Sequence, residues 1–248
     1  MKKYSFIVLL AIVFSNLYAQ EETGKEDNPI SISCELMSRY VWRGSDFGAS
    51  PCIQPGIEYS KSGFAAGAWG AYAVKFQGYQ ESDLYLGYTF YKEMFTVMIT
   101  DYYFQNDLVN QNYFDYKKET TGHVFEASLT FNRTEKFPLS AMIATNVYGA
   151  DAKKINDDGT TGKNQFSTYA ELTYSFKYFD AFIGANLTQV DADKGETGYY
   201  GNYLGVVNMG ITATKKIKIT KDYKLPLTLS VITNPQAEKI YFVAGFSF

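Results

Sequence analysis

The residues with chemical reach fall on alternate positions. Glu35, Arg39, Arg43, Glu58, Lys75, Asp83, Glu126 and Glu171 each lie on the polar parity of a segment whose other parity is apolar. Gln54, Thr96, Thr100, Ser128, Thr130, Asn146, Ser167, Thr173, Asn186, Asn208 and Thr212 share those positions. Two chemistries suit charges of both signs spread so widely. They can form ion pairs that hold a polar interior shut, or a constriction that selects solutes. Both readings stay open at this level.

Catalytic chemistry finds little support. The single histidine, His123, sits at the outer end of its segment and on the apolar parity. An Asp–His base or a triad needs that ring aimed into a site beside an oriented partner, whereas His123 reads as a rim residue. Neither Cys nor His occurs at metal-binding spacing, and no Gly-rich phosphate loop is present. Asp151, Asp157, Asp158, Asp191 and Asp193 offer oxygen ligands of the kind Ca²⁺ takes, but in polar connections they read as solvated acids. The expectation is no enzyme and no cofactor.

The elements that position these residues are strands. Ile30, Ile32, Cys34, Leu36, Tyr40 and Trp42 share one parity, and Ser31, Ser33, Glu35, Met37, Arg39 and Arg43 the other. A period of two over this length marks a strand with two unlike faces. The pattern returns through twelve segments: 30–43, 53–60, 63–75, 82–91, 94–104, 122–132, 138–149, 164–177, 179–190, 201–214, 225–233 and 239–248. Phe125, Leu129, Leu172 and Phe242 all fall on the apolar parity. Most segments approach the 9–11 residues that a tilted spanning strand requires.

The connections alternate in length. Tight steps follow the even segments at Lys61–Ser62, Lys92–Glu93, Arg133–Phe137 and Lys177–Tyr178. Longer polar stretches follow the odd ones at 44–52, 76–81, 105–121, 150–163 and 191–200. Short periplasmic turns and longer outer loops are the habit of bacterial barrels. Two connections depart from it: 215–224 is long for a periplasmic turn, and 234–238 is short for an outer loop. They leave counts of ten and fourteen strands open. Rings flank every tight step, as with Tyr88, Phe90, Tyr91 and Phe95, which is the spacing of an aromatic girdle at one membrane interface.

Composition agrees. Tyr and Phe number 22 and 19 against 2 Trp, and mean hydropathy is −0.21. Lys2, Lys3 and the apolar run 6–14 read as a secretory signal ending near Ala19, followed by a polar lead-in over 20–29 and a barrel over 30–248. The mildly acidic balance leaves no footprint for nucleic acid. Cys34 and Cys52 read as two free thiols, because the inferred first hairpin sets Cys34 opposite a residue near Lys61, too far from Cys52 to bridge. In lipid every backbone donor and acceptor must be paired, so the sheet must close. The fold expected is an antiparallel up-and-down transmembrane β-barrel, most simply of twelve strands, in a Gram-negative outer membrane. Its expected partners are outer-membrane lipid, small solutes, and the assembly machinery that reads a last strand ending in Phe248. The function expected is passive diffusion of small solutes or ions. The alternative is a closed barrel displaying its loops for adhesion or complex assembly.

The stretch Ser38-Arg39-Tyr40-Val41-Trp42-Arg43-Gly44 resembles the opening signature of the TorF-family porin-like proteins, also catalogued as a Gcw_chp-type family. The resemblance continues through Pro51, Gln54–Tyr59, Ser62–Gly70 and Asp83–Phe90. It implies an outer-membrane porin-like barrel. Members usually carry an acidic residue where Arg39 stands and often Ser at Ala71, so the resemblance implies no particular solute.

Overall fold

The computed structural model describes residues 28–75, 80–105 and 112–248. The signal and most of the polar lead-in lie outside the described residues. Twelve strands form one closed antiparallel barrel. They are β1 (Ile30–Met37), β2 (Cys52–Lys61), β3 (Phe64–Ala73), β4 (Gln80–Phe90), β5 (Phe95–Gln105) and β6 (His123–Phe131), then β7 (Leu139–Gly149), β8 (Thr168–Ser175), β9 (Asp180–Asn186), β10 (Gly205–Lys218), β11 (Lys224–Asn234) and β12 (Lys239–Ser247). Each strand pairs with the next in sequence, and β12 returns to β1, so no edge is left unpaired. Phe248 completes the seam by exchanging backbone hydrogen bonds with Cys34.

The wall separates its two faces by pleat. On β4, Glu81, Asp83, Tyr85 and Gly87 are buried inside while Leu86, Tyr88 and Phe90 are exposed outside. The residues whose placement decides the architecture are outside: Leu129 is 42% exposed, Leu172 48% and Phe242 74%, and Phe125 is partly covered. Water-soluble domains rarely leave so many large apolar side chains uncovered on one face. At the short-turn end the rings touch in sequence around the wall. Phe64 meets Tyr88 at 4.6 Å, Phe90 meets Phe95 at 5.8 Å, Phe95 meets Phe131 at 5.5 Å, and Phe131 meets Phe137 at 5.8 Å.

Strands ~4.8 Å apart, tilted by about 40°, give a twelve-strand cylinder roughly 24 Å across between backbones. That bore is wide enough to admit a chain segment, and one enters it. The first strand ends at Met37 and does not run on to Arg43. Residues 38–50 turn inward and form a two-residue hairpin, Val41–Trp42 against Ser45–Asp46. Tyr40 and Trp42 therefore leave the lipid-side parity: Tyr40 is buried with Cys52, Ala71 and Trp69 inside the barrel. Alternation alone could not reveal this, because an inward hairpin and a continuing strand share the same period.

The early end of β1 also moves the register. Cys34 stands opposite Pro55, not near Lys61, and Met37 stands opposite Cys52. Both thiols are free: Cys52 stands three residues from Pro55, the partner of Cys34, so Cys34 faces outward and Cys52 inward. At the other end of the chain, β10 runs fourteen residues to Lys218. Half of what looked like a long turn is strand, leaving 219–223 as the connection. The strands read as 164–177 and 179–190 are trimmed to β8 and β9. The residues released fold into the outer loops.

Candidate functional site

The infolded hairpin crosses the bore. In a ring of twelve, β6 to β8 lie across from β1, and the Arg43 side chain reaches them while the turn backbone rests against β10 and β11. The turn residues Arg43 and Gly44 have φ of +49° and +79°, the left-handed pair that a two-residue hairpin demands. Gly44 is needed on two counts. Its conformation suits glycine, and a Cβ there would stand 2.0 Å from the Val207 carbonyl oxygen of β10. Asn234 of β11 donates to the Gly44 carbonyl at 3.2 Å. The tip is thus pressed against the wall and pinned.

Arg43 occupies the waist. Its guanidinium makes a two-pronged pair with Glu126 of β6, including Nη2 to Oε1 at 2.9 Å, and Nη1 donates to the Tyr200 hydroxyl at 2.8 Å. Rings enclose it: the Trp42 centroid lies 4.4 Å from Cζ, Tyr169 of β8 at 4.6 Å and Tyr200 at 5.1 Å. Tyr200 donates in turn to Glu126 at 2.6 Å and lies 3.1 Å from Asn146 Oδ1 of β7. Tyr102 of β5 donates to Glu126 at 3.2 Å. Tyr200 comes from the connection 187–204, which also enters the barrel and buries Val190 and Tyr200. The segments 38–50 and 187–204 meet where the ring of Trp42 lies 6.0 Å from that of Tyr200.

A second polar group lies beside the first. The Tyr169 hydroxyl donates to Glu171, and Asn208 Nδ2 of β10 donates to both at 3.0 Å. Tyr169 fits across the bore because its neighbour on β9 is Gly184: a Cβ there would lie 1.9 Å from the phenol oxygen.

The other charged positions scatter along the interior, apart from Lys75, which is exposed beyond the outer end of β3. Arg39 pairs with Asp46 at 2.6 Å within the hairpin rather than reaching Glu58. Glu58 accepts from Tyr85. Lys75 does not face Asp83, whose partner on β3 is Trp69; it donates to the Gly48 carbonyl of the infolded segment. Asp83 hydrogen-bonds Glu81, and Glu35 accepts from Ser247 across the seam at 3.0 Å. Arg39, Arg43 and Lys75 therefore all bind the hairpin or its neighbours. Tyr102, Tyr169 and Tyr200 are the waist residues that sequence reasoning missed. Strand-favoured rings carry no mark distinguishing lumen from girdle except parity, and Tyr200 lies in a loop without parity.

His123 has an oriented partner after all. Its Nδ1 lies 2.7 Å from Asp101 of β5 and its Nε2 2.6 Å from the Tyr113 carbonyl oxygen. Both residues sit on the outward parity, beneath the connection that follows β5, and the ring is fully buried. With both ring nitrogens occupied, it ties the described part of that loop to the wall through Tyr113. Among the described residues no group of acids, His or Cys could hold a metal ion. Asp157 pairs with Lys194, Asp158 bonds Thr160, and Asp191 caps a short 3₁₀ turn.

Comparison with known proteins gives one family match, to the family described as bacterial protein of unknown function (Gcw_chp), over residues 21–223. No curated protein matches the chain. Among solved structures it is similar to a KdgM porin, at 10% identity, covering 88% of this chain and 97% of that one with a TM-score of 0.46. It is similar also to a KdgM porin in complex with disordered oligogalacturonate, at 10% identity, the same coverages and a TM-score of 0.44.

Proposed function

The chain belongs to the Gcw_chp family, and from its architecture we propose that it is an outer-membrane channel through which small solutes or ions diffuse passively. One observation carries the reading: a closed barrel, apolar outside and polar inside, whose bore is crossed by a short hairpin. An eight-strand barrel fills its own interior, and sixteen strands leave a wide channel. Twelve strands with an infolded segment make a narrowed passage, and the charges that line it set what passes. Glu35, Arg39, Arg43, Glu58, Lys75, Asp83, Glu126 and Glu171 are the lining of that passage in this reading, with the Arg43–Glu126 level as its constriction.

Lipid is the outer solvent and the short-turn girdle its periplasmic interface. Export through an N-terminal signal and delivery through the strand ending in Phe248 complete the proposal. The Phe248 side chain is exposed at the end of the seam, where an assembly factor can reach it. In this reading the role is non-enzymatic, because a closed barrel with a polar bore passes solutes without converting them. In planar bilayers the purified protein is expected to give discrete conductance steps; a silent membrane at every voltage and salt concentration rejects the channel.

A second reading has its own support. The outer loops brace one another: Lys154 pairs with Glu196 at 3.0 Å, and Gln165 donates to the Thr197 carbonyl at 3.0 Å. Such a built surface suits display for adhesion or complex assembly. Removing 153–164 is expected to abolish partner capture, with conductance unchanged, if display is the function.

A further inference from the structure

The wall meets Arg43 with a set of groups that does not depend on the hairpin. Glu126 presents both oxygens to the fork of the guanidinium, the geometry that a planar cation selects. Tyr102 and Tyr200 hold that carboxylate by donating to it. Tyr169 offers a ring face and is itself held by Glu171 and Asn208. These groups come from β5, β6, β8, β10 and the connection 187–204, and they bond within two adjoining sets whose rings meet at Tyr169 and Tyr200. They form a receptor that is organised in advance.

The occupant is less comfortable. Arg43 stands at φ +49°, in the left-handed region where a long L side chain is uncommon and strained. The two-residue turn imposes that backbone cost on Arg43 for as long as the hairpin is folded. We propose that the waist is a guanidinium-recognition site filled by the chain's own Arg43, and that a free solute bearing a guanidinium or amidinium group takes its place and releases the hairpin. The inference rests on the channel reading and adds a ligand class and a gate to it. Arg43 competes as a tethered group, at an effective concentration in roughly the millimolar range for a short link. A free competitor must match that level. An anionic solute meets Glu126 uncompensated once Arg43 leaves, so the site rejects it.

The test uses Arg43→Ala in planar bilayers, with guanidinium chloride as the probe and sodium chloride as the control at equal ionic strength. The variant is expected to conduct more than the native chain, and guanidinium to block it saturably where sodium does not. Adding Glu126→Gln is expected to weaken that block by roughly tenfold or more, the usual worth of a charge-assisted bond. Guanidinium that behaves like sodium, or a block that survives Glu126→Gln, overturns the proposal. If neither the native chain nor the variant conducts, the channel reading falls. Calorimetric titration of guanidinium into the detergent-solubilised variant then decides the site alone: saturable heat keeps it and its absence removes it. Arg43→Gln, closer in size, replaces Arg43→Ala where the latter does not fold.

Discussion

Arg43 and Glu126 show how far one buried pair can be read. With side-chain exposures of 9% and 3%, neither charge has much water, and each depends on the other. Removing one partner leaves a charge uncompensated, at a cost of about 3 kcal/mol or more. Glu126→Ala is expected to destabilise by that amount in urea unfolding from lipid vesicles, whereas a double replacement by apolar residues of similar size costs less. A second titratable residue reports on the outer loops. Glu196 accepts from the backbone N–H of Asp191 and of Ile155 and pairs with Lys154, which holds its carboxyl down to about 2. Its folded value lies below the ordinary one, so the stabilisation is complete above about pH 4.5 and is lost as pH falls toward 2. Amide-exchange protection at Ile155 and Asp191, corrected for intrinsic rate, is expected to fall across that window. Glu196→Gln is expected to flatten the dependence; an unchanged profile would remove the role assigned to this carboxylate.

Among the elements, the hairpin 41–46 and the seam are the parts whose behaviour differs from the rest of the wall. The hairpin is seated by Gly44, and Gly44→Ala meets both the left-handed φ and the Val207 carbonyl. The conformation alone costs about 1–2 kcal/mol. The expected result is a dislodged tip and a larger single-channel conductance, with the barrel still closed as judged by heat-modifiable gel mobility. Unchanged conductance would mean that the hairpin does not narrow the passage. The seam is short. β1 has eight paired positions with β2 but three with β12. Fewer ladder bonds open at lower free energy, so amide exchange is expected to be fastest, among the strand interiors, along 35–37 and 245–247.

At the scale of the whole molecule, the surrounding solvent sets the cost of each substitution. Leu172, near the middle of β8 and outward, meets hydrocarbon. Leu172→Arg is expected to cost about 2–4 kcal/mol, and Tyr178→Arg at the turn about 0–1 kcal/mol, measured as unfolding free energies in lipid. Equal costs would argue against a membrane around this wall. The barrel itself was legible in the chain because a period of two is a local property: each residue declares its face by what it prefers to touch, and Phe125, Leu129, Leu172 and Phe242 declare the outer one. Strand count and the alternation of short and long connections followed from the same local marks. The waist was not legible. An inward hairpin repeats the alternation of the strand it leaves, so Tyr40, Trp42 and Arg43 read as more of β1. The partners of Arg43 come from positions 83 and 157 residues away, and distance along the chain says nothing about which side chains meet across a closed cylinder. Local preference decided which way each strand faces; only closure of the ring decided that Arg43, Glu126, Tyr169 and Tyr200 share one place, because only closure brings opposite walls together.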